Sequence, residues 1–285
     1  MAEKKVLIAG ATGYLGQYLV QESKRQGYWT RALARNAQKL AHLRDYIDDI
    51  FTGQVTDRDS ISTICQDIDF VISAVGITRQ RDRLTYMDVD YQGNRNLLDC
   101  ALSNDVSKFV YVSVLNAHLM QELRIIQAKE RFVRELTQSA LDHTIIRPTG
   151  FFSDMLEFLT MAKKGKVNLF GSGEYRINPI HGQDLAKVCF DALPGSETEI
   201  EVGGPETFTH KQIAEFAFDV VHKDAKISCM PLWQKNMILW FMRLFTSSKT
   251  YGPIEFLMTA LSMDGVAPHY GKERLRDFFE MSAID

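Results

Sequence analysis

Within its first 150 residues the chain alternates short apolar runs with longer stretches that carry helical spacing. The runs VLIAG (6–10), WTRALAR (29–35), DDIFTG (48–53), DFVISAVG (69–76), KFVYVSV (108–114) and HTIIRP (143–148) read as strands. Several are nearly continuous in apolar residues, the pattern of parallel strands covered on both faces. Between them, GQYLVQESKRQG (16–27) reads as a helix, and after Asp90-Tyr91-Gln92-Gly93 the segment Asn96–Leu102 puts apolar residues on one face. A further helix is predicted from about Leu119 to Leu136, with Ile125, Ile126, Phe132 and Val133 on its apolar face. This is the βαβα rhythm of a doubly wound parallel sheet. After Pro148 the rhythm breaks, and glycines at 165, 171, 173, 182, 195, 203 and 204 punctuate shorter elements, with IEVGGPE (200–206) as a strand ending in a turn.

The first strand runs directly into Gly10-Ala11-Thr12-Gly13-Tyr14-Leu15-Gly16. A strand, three spaced glycines and a helix form the context in which a glycine loop binds a dinucleotide pyrophosphate. Gly10 allows the tight turn, Gly13 lets backbone N–H groups approach phosphate oxygens, and Gly16 lets the helix pack close to the strand. The predicted fold class is therefore α/β, a Rossmann-type doubly wound sheet, with a dinucleotide-binding domain at 1–150. Residues 151–285 hold a small substrate-side subdomain interleaved with the remaining sheet elements. Where NAD-preferring folds place an acid about 20 residues past the glycines, this chain has Arg35-Asn36. A carboxylate there would repel a 2′-phosphate and Arg35 would attract one, so NADP(H) is the predicted cofactor. Arg31 is the alternative if the strand register shifts. Ser73-Ala74-Val75-Gly76 ends a strand with residues small enough for backbone to approach the central riboses, or for a tight turn.

The composition is that of an ordinary globular domain, 45% hydrophobic with a formal net charge of −3, so no field favours nucleic acid. Cys65, Cys100, Cys189 and Cys229 show no metal-ligand spacing and read as thiols of a reducing compartment. No metal site and no Ser-His-Asp elbow is evident. Met1-Ala2-Glu3-Lys4-Lys5 leads at once into the first strand, leaving no room for a signal peptide, and a cytoplasmic location is expected.

The segments GATGYLG, GQVTD, VDYQGNRNLLDCA, FVYVSV, QAKERFVREL, IIRPTGFF, INPIHGQDLA, VGGPETFT and APHYGKERLRDFF resemble the atypical short-chain dehydrogenase/reductases. The likeness is to the NmrA-like group, which includes isoflavone reductase-type enzymes and divinyl chlorophyllide vinyl reductases. The resemblance implies that Gln54 and Val55, in a turn whose usual acid is replaced by Gln54, lie against adenine, and that Ala74, Val75 and Gly76 line the dinucleotide. Pro148 and Phe151 would lie against nicotinamide. Typical members use Tyr-x-x-x-Lys; Lys129 fits the lysine, but Ile125 stands four residues before it and cannot transfer a proton. The resemblance makes Lys129 the leading acid/base candidate, transferring the proton itself, positioning a water, or holding ribose hydroxyls while adding positive charge. Ser113 is implied as a secondary substrate donor. His181 and Asp184 read as structural, and Tyr14 as packing or a phosphate-edge contact.

Two functions follow as expectations. One is a reductase delivering hydride to a conjugated C=C or C=O of an apolar small molecule; the other is a non-catalytic NADP(H)-sensing regulator or assembly factor. The segment 233–245 (WQKNMILWFMRLF) is so apolar that burial nearly all round is expected, under the sheet or at a dimer interface. It is alternatively a wall over an apolar substrate or a peripheral contact with a membrane. It falls well short of the ~20 residues that span a bilayer.

Overall fold

The computed structural model describes residues 3–77 and 84–284, which leaves Met1 and Ala2 outside. The strands are β1 (Lys5–Ala9), β2 (Trp29–Ala34), β3 (Asp49–Thr52), β4 (Phe70–Ser73), β5 (Lys108–Val112), β6 (Asp142–Pro148), β7 (Val167–Phe170), β8 (Arg176–Ile177), β9 (Glu199–Val202), β10 (Phe208–Thr209) and β11 (Ile227–Met230). The helices are α1 (Tyr14–Arg25), α2 (Asn94–Leu102), α3 (Arg124–Gln138), α4 (Phe152–Lys163), α5 (Gly182–Asp191), α6 (His210–Val220), α7 (Leu232–Phe245), α8 (Ser248–Ala260) and α9 (Leu275–Ile284). A π-helical segment, Met87–Gly93, runs straight into α2.

Seven strands form one parallel sheet in the order β3-β2-β1-β4-β5-β6-β9. The chain moves outward from β1 to β3 and then returns to place β4 on the other side of β1, so the order reverses between β1 and β4. In open α/β sheets ligands bind beyond the carboxyl ends of the strands at such a reversal. All six strands expected in the first 150 residues form, because runs such as Val6-Leu7-Ile8 are fully buried by helices on both faces. The helix expected from about Leu119 begins instead at Arg124. Asn116 takes a left-handed φ of 56°, a 3-10 turn spans Ala117–Leu119, and Leu123 N–H donates to the Met120 carbonyl, so the chain turns before α-helix can propagate.

The chain divides into two compact units. The first comprises residues 1–117, 124–147 and 185–200; the second comprises 118–123, 148–184 and 201–285. The first unit's core joins Leu7, Val71, Phe109, Tyr111, Phe132 and Ile145 across the sheet and onto α3. The second unit has its own core, in which Phe152 and Phe158 of α4 pack with Phe218 of α6 and Phe279 of α9. There Asp184 accepts the N–H groups of Lys272 and Glu273 at 3.0 Å each, and His181 packs its ring against Phe152 and Phe278. The second unit also holds α7, which departs from the expected all-round burial: only Lys235 and Leu239 are buried. A helix followed by a turn and a second apolar helix can cover one of its faces with that neighbour and leave the other bare.

One core group makes the second unit acid-sensitive. His210, buried between the rings of Phe158 and Tyr175 with no partner for its Nε2, is pushed down to about 4 by desolvation, which nearby Asp264 only partly opposes. The unfolded chain takes up this proton near pH 6.5 and the folded chain does not. The contribution of His210 is therefore complete above about 6.5 and is lost as the pH falls to about 4, by about 3 kcal/mol. Denaturant unfolding of wild type and His210→Leu across this window should show the variant losing markedly less stability; parallel curves would remove the assignment.

Candidate functional site

The glycine loop after β1 and the loop after β4 meet at the strand-order reversal. Ala9 pairs with Ser73, Gly10 has a φ of 90°, and a Cβ on Gly10 would lie 2.9 Å from the Ala74 carbonyl carbon and oxygen. A Cβ on Gly16 would lie 2.0 Å from the Gly10 carbonyl oxygen, which is how closely α1 packs on the loop. Gly13 is the N-cap of α1, provides no side-chain cap, and is followed by a first turn without a carboxylate. The early N–H groups of a helix have no intrahelical acceptor, and the helix dipole adds positive potential there. This cradle suits an anionic diphosphate. Thr12 and Leu15 belong to the loop and the first turn, and Tyr14 meets Tyr18 edge-on at 5.3 Å between ring centroids.

The register Ala9↔Leu33 carries Arg35 and Asn36 past the end of β2, beside the glycine loop. Arg35 is exposed. Asn36 spends its side-chain oxygen on the N–H of Gln38, capping the following 3-10 helix. Arg31 is committed elsewhere: its Nε donates to Asp49 at 2.6 Å, its Nη1 donates to the carbonyls of Ile64 and Gln66, and its guanidinium lies over Trp29. Of the two arginines considered from sequence, only Arg35 stands exposed past the strand end. Gln54 donates its side-chain N–H to Thr56 at 2.6 Å, and Asn96 donates to the Val55 carbonyl at 2.8 Å. Gly93 allows this approach, since a Cβ there would lie 2.7 Å from a Val55 methyl.

The structure brings Lys129 to Gly76. The ammonium of Lys129, on the buried face of α3, lies 3.1 Å from Oδ1 of Asp90, which the π-helical segment presents with no solvent exposure. The other Asp90 oxygen accepts the Ile77 N–H at 3.1 Å, so one carboxylate ties the loop after β4 to the lysine of α3. A Cβ on Gly76 would lie 2.8 Å from Asp90 Oδ1 and 3.0 Å from Lys129 Nζ, so any larger residue would displace the pair. Asn94 supports the arrangement by accepting from the Ser73 hydroxyl at 2.6 Å and donating to the Asp90 and Val75 carbonyls.

Burial works against charge at both members of the pair. It raises the Asp90 carboxyl above its ordinary value, with Lys129 pulling the other way. For Lys129 burial lowers the pKa, but Tyr111 and Asp90 more than reverse it and hold the ammonium above the ordinary lysine range. Tyr111 of β5 stands with the Lys129 Nζ 5.5 Å from its ring centroid. Burial pushes its phenol up to about 12, so it is neutral at physiological pH. The result is a fixed positive charge beside the loop after β4, rather than a lysine poised to lose its proton.

Ser113 is drawn into a different network. Its hydroxyl donates to Glu130 at 3.1 Å, and Arg147 in turn donates to Glu130 at 2.7 Å and pairs with Glu199 at 3.1 Å. Glu130 and Lys129 are neighbours on α3, and the structure gives Ser113 to the former. Pro148 is the last residue of β6 and Phe151 is the N-cap of α4, its N–H donating to Asp154; both lie in the second unit. Among the described residues no cluster of His, Cys, Asp or Glu could hold a metal ion.

Asp90 is the residue that the sequence did not single out. Its signal was present: Asp90 and Asn94 are polar, four residues apart, and precede Leu97 and Leu98 on a face that turns inward. Tyr111 lies inside the apolar run of β5, where nothing in the spacing sets its hydroxyl apart.

A family model described as NAD(P)H-binding matches residues 10–194. Photosystem II assembly factor Ycf39 of Synechocystis is 28% identical over 246 residues, covering 85% of this chain and 74% of that protein. The chloroplastic divinyl chlorophyllide a 8-vinyl-reductase of Cucumis sativus is 27% identical, covering 98% and 76%. Among solved structures, the NADPH complex of the Escherichia coli NADPH-dependent quinone oxidoreductase QOR2 superposes with a TM-score of 0.77 at 17% identity, covering 98% of this chain and 99% of that one. At that identity the likeness speaks to the fold.

Proposed function

The chain belongs to the NAD(P)H-binding family, and on that premise we propose that it is an NADP(H)-dependent reductase acting on a conjugated C=C or C=O of an apolar small molecule. The observation that carries the reading is the Lys129 ammonium, held charged by Asp90 against Gly76 at the carboxyl edge of the sheet. The nicotinamide, when bound, supplies the hydride. The glycine loop and the first turn of α1 hold the diphosphate, and Arg35 selects the 2′-phosphate. Lys129 holds ribose hydroxyls and places positive charge where a reducible substrate gains negative charge. Ile125 cannot donate a proton, and Lys129 holds its own tightly, so in this reading water protonates the product. Vinyl reductase relatives favour a conjugated alkene as the acceptor class.

A second reading has two observations in its favour: Ile125 where the dehydrogenases that the chain resembles have a tyrosine, and assembly-factor relatives of comparable identity. In it the chain binds NADP(H) without turnover, and the nucleotide's redox state sets affinity for a partner.

Steady-state NADPH oxidation over a panel of enones, vinyl-bearing aromatics and quinones separates the two. Turnover is expected with at least one acceptor. Arg35→Ala should raise the KM for NADPH about ten- to hundredfold while leaving NADH unaffected, since one charge-assisted hydrogen bond contributes about 1.5 to 3 kcal/mol. Equal loss with both coenzymes would reject the role given to Arg35. NADPH binding with no oxidation of any acceptor would favour the second reading.

A further inference from the structure

We propose that the outer face of α7 is an anchor that lies in the interface of an anionic lipid bilayer. Trp233, Met237, Trp240, Phe241, Leu244 and Phe245 are all exposed, Trp240 by 57% and Phe245 by 79%. The first five recur at i, i+4, i+7, i+8 and i+11, which collects them on one side of the helix. The opposite side, with Lys235 and Leu239, is the buried one. Arg243 on α7 pairs with Glu255 on α8, which fixes the second helix against the first within the same unit. No helix among the described residues is long and apolar enough to cross a membrane, so α7 can lie in an interface but not span it. Two tryptophans with Phe, Leu and Met on one face, and the half-exposed Arg243 beside it, are the composition of a helix that lies in the headgroup region.

Charge selects the occupant. Between Asp224 and Glu255 the sequence has no carboxylate, although the chain as a whole has a net charge of −3; with Lys235 on the buried side, Lys226, Arg243 and Lys249 are the cations left to it, Arg243 being half exposed beside Glu255. A second copy docking this face on itself about a two-fold axis would bring like charges together. An anionic membrane surface matches a basic segment around an apolar face, and it attracts such a segment only within about a Debye length. The inference does not depend on turnover or on which coenzyme is held.

The test is flotation of the full-length protein with vesicles of phosphatidylcholine alone and of phosphatidylcholine mixed with phosphatidylglycerol, read together with tryptophan emission. Flotation with the phosphatidylglycerol vesicles, a blue shift on binding, and release by added salt are expected. The variant Trp240→Ser/Phe241→Ser/Phe245→Ser should lose partitioning by at least about tenfold, because three side chains that would enter the lipid boundary are gone. Since all three are exposed, its melting temperature and NADPH binding should match wild type. The proposal is overturned if the protein ignores both vesicle types. It is equally overturned if wild type is a dimer that the triple variant dissolves, or if binding is the same with and without phosphatidylglycerol.

Discussion

Lys129→Met should produce two separable losses, one of stability and one of activity. Removing the ammonium leaves Asp90 buried against an apolar side chain, where it must either stay charged without a partner or take up a proton, and breaking a buried pair from one side costs about 3 to 5 kcal/mol. Asp90→Asn/Lys129→Met removes both charges and should recover most of that stability, because the Ile77 N–H can still donate to the amide oxygen. If Lys129 acts on substrate or coenzyme, the double variant stays inactive: NADPH oxidation should remain down by about a hundredfold or more. A double variant that regains both stability and turnover would make Lys129 a purely structural residue. The pH dependence has a definite sign. The folded chain holds the Lys129 proton more tightly than the unfolded chain, so the contribution is complete below the ordinary lysine value of 10.5 and is lost as the pH rises beyond it. Denaturant unfolding between pH 9 and 12 (about the range of lysine titration) should therefore fall more steeply for wild type than for the double variant.

Gly16→Ala should abolish dinucleotide binding and cost about 3 kcal/mol or more, the upper end for overpacking. The new Cβ would lie 2.0 Å from the Gly10 carbonyl oxygen, 2.7 Å from its carbonyl carbon and 2.8 Å from the Ala11 Cα. All three are backbone atoms of the loop that cradles the diphosphate, so either α1 moves away or the loop does. The neighbouring glycines grade the argument. Gly13→Ala meets only the Gly10 oxygen at 3.3 Å, so its cost to stability should be small, while its methyl would stand where the diphosphate approaches and weaken binding. Gly27→Ala meets nothing within 4 Å, despite a φ of 79°, and should bring only the strain of a left-handed residue, about 1 to 2 kcal/mol, with NADPH binding intact. Chemical denaturation and fluorescence titration with NADPH rank the three. If Gly16→Ala bound NADPH as wild type does, the loop would not be what holds the diphosphate.

The two sites of these predictions were unequally visible in the amino-acid order. The glycine loop announces itself because its parts are consecutive: strand, turn and helix start lie within a dozen residues, and each demand for a missing Cβ is local. Lys129 could be located by its neighbours, but not its partner. The carboxylate that holds it lies on another helix and is delivered by a π-helical segment, which shifts the phase of the side chains and has no distinct spacing pattern.

What the order of residues determined by itself was the alternation of strands and helices, the parallel sheet, and the dinucleotide loop at its first turn. These follow from periodicity and from glycine geometry, both of which act over a few residues. Tertiary structure alone decided which arginine stands exposed past the end of β2, since Arg31 is consumed by Asp49 and two carbonyls that come near only when β2, β3 and the segment after them pack. It decided that Ser113 serves Glu130 and Arg147, and that Asp90 holds Lys129 against Gly76. It also decided that the apolar face of α7 stays bare. Hydrophobicity says that a segment prefers to leave water; only the positions of all the other elements settle whether the chain itself has anything left with which to cover it.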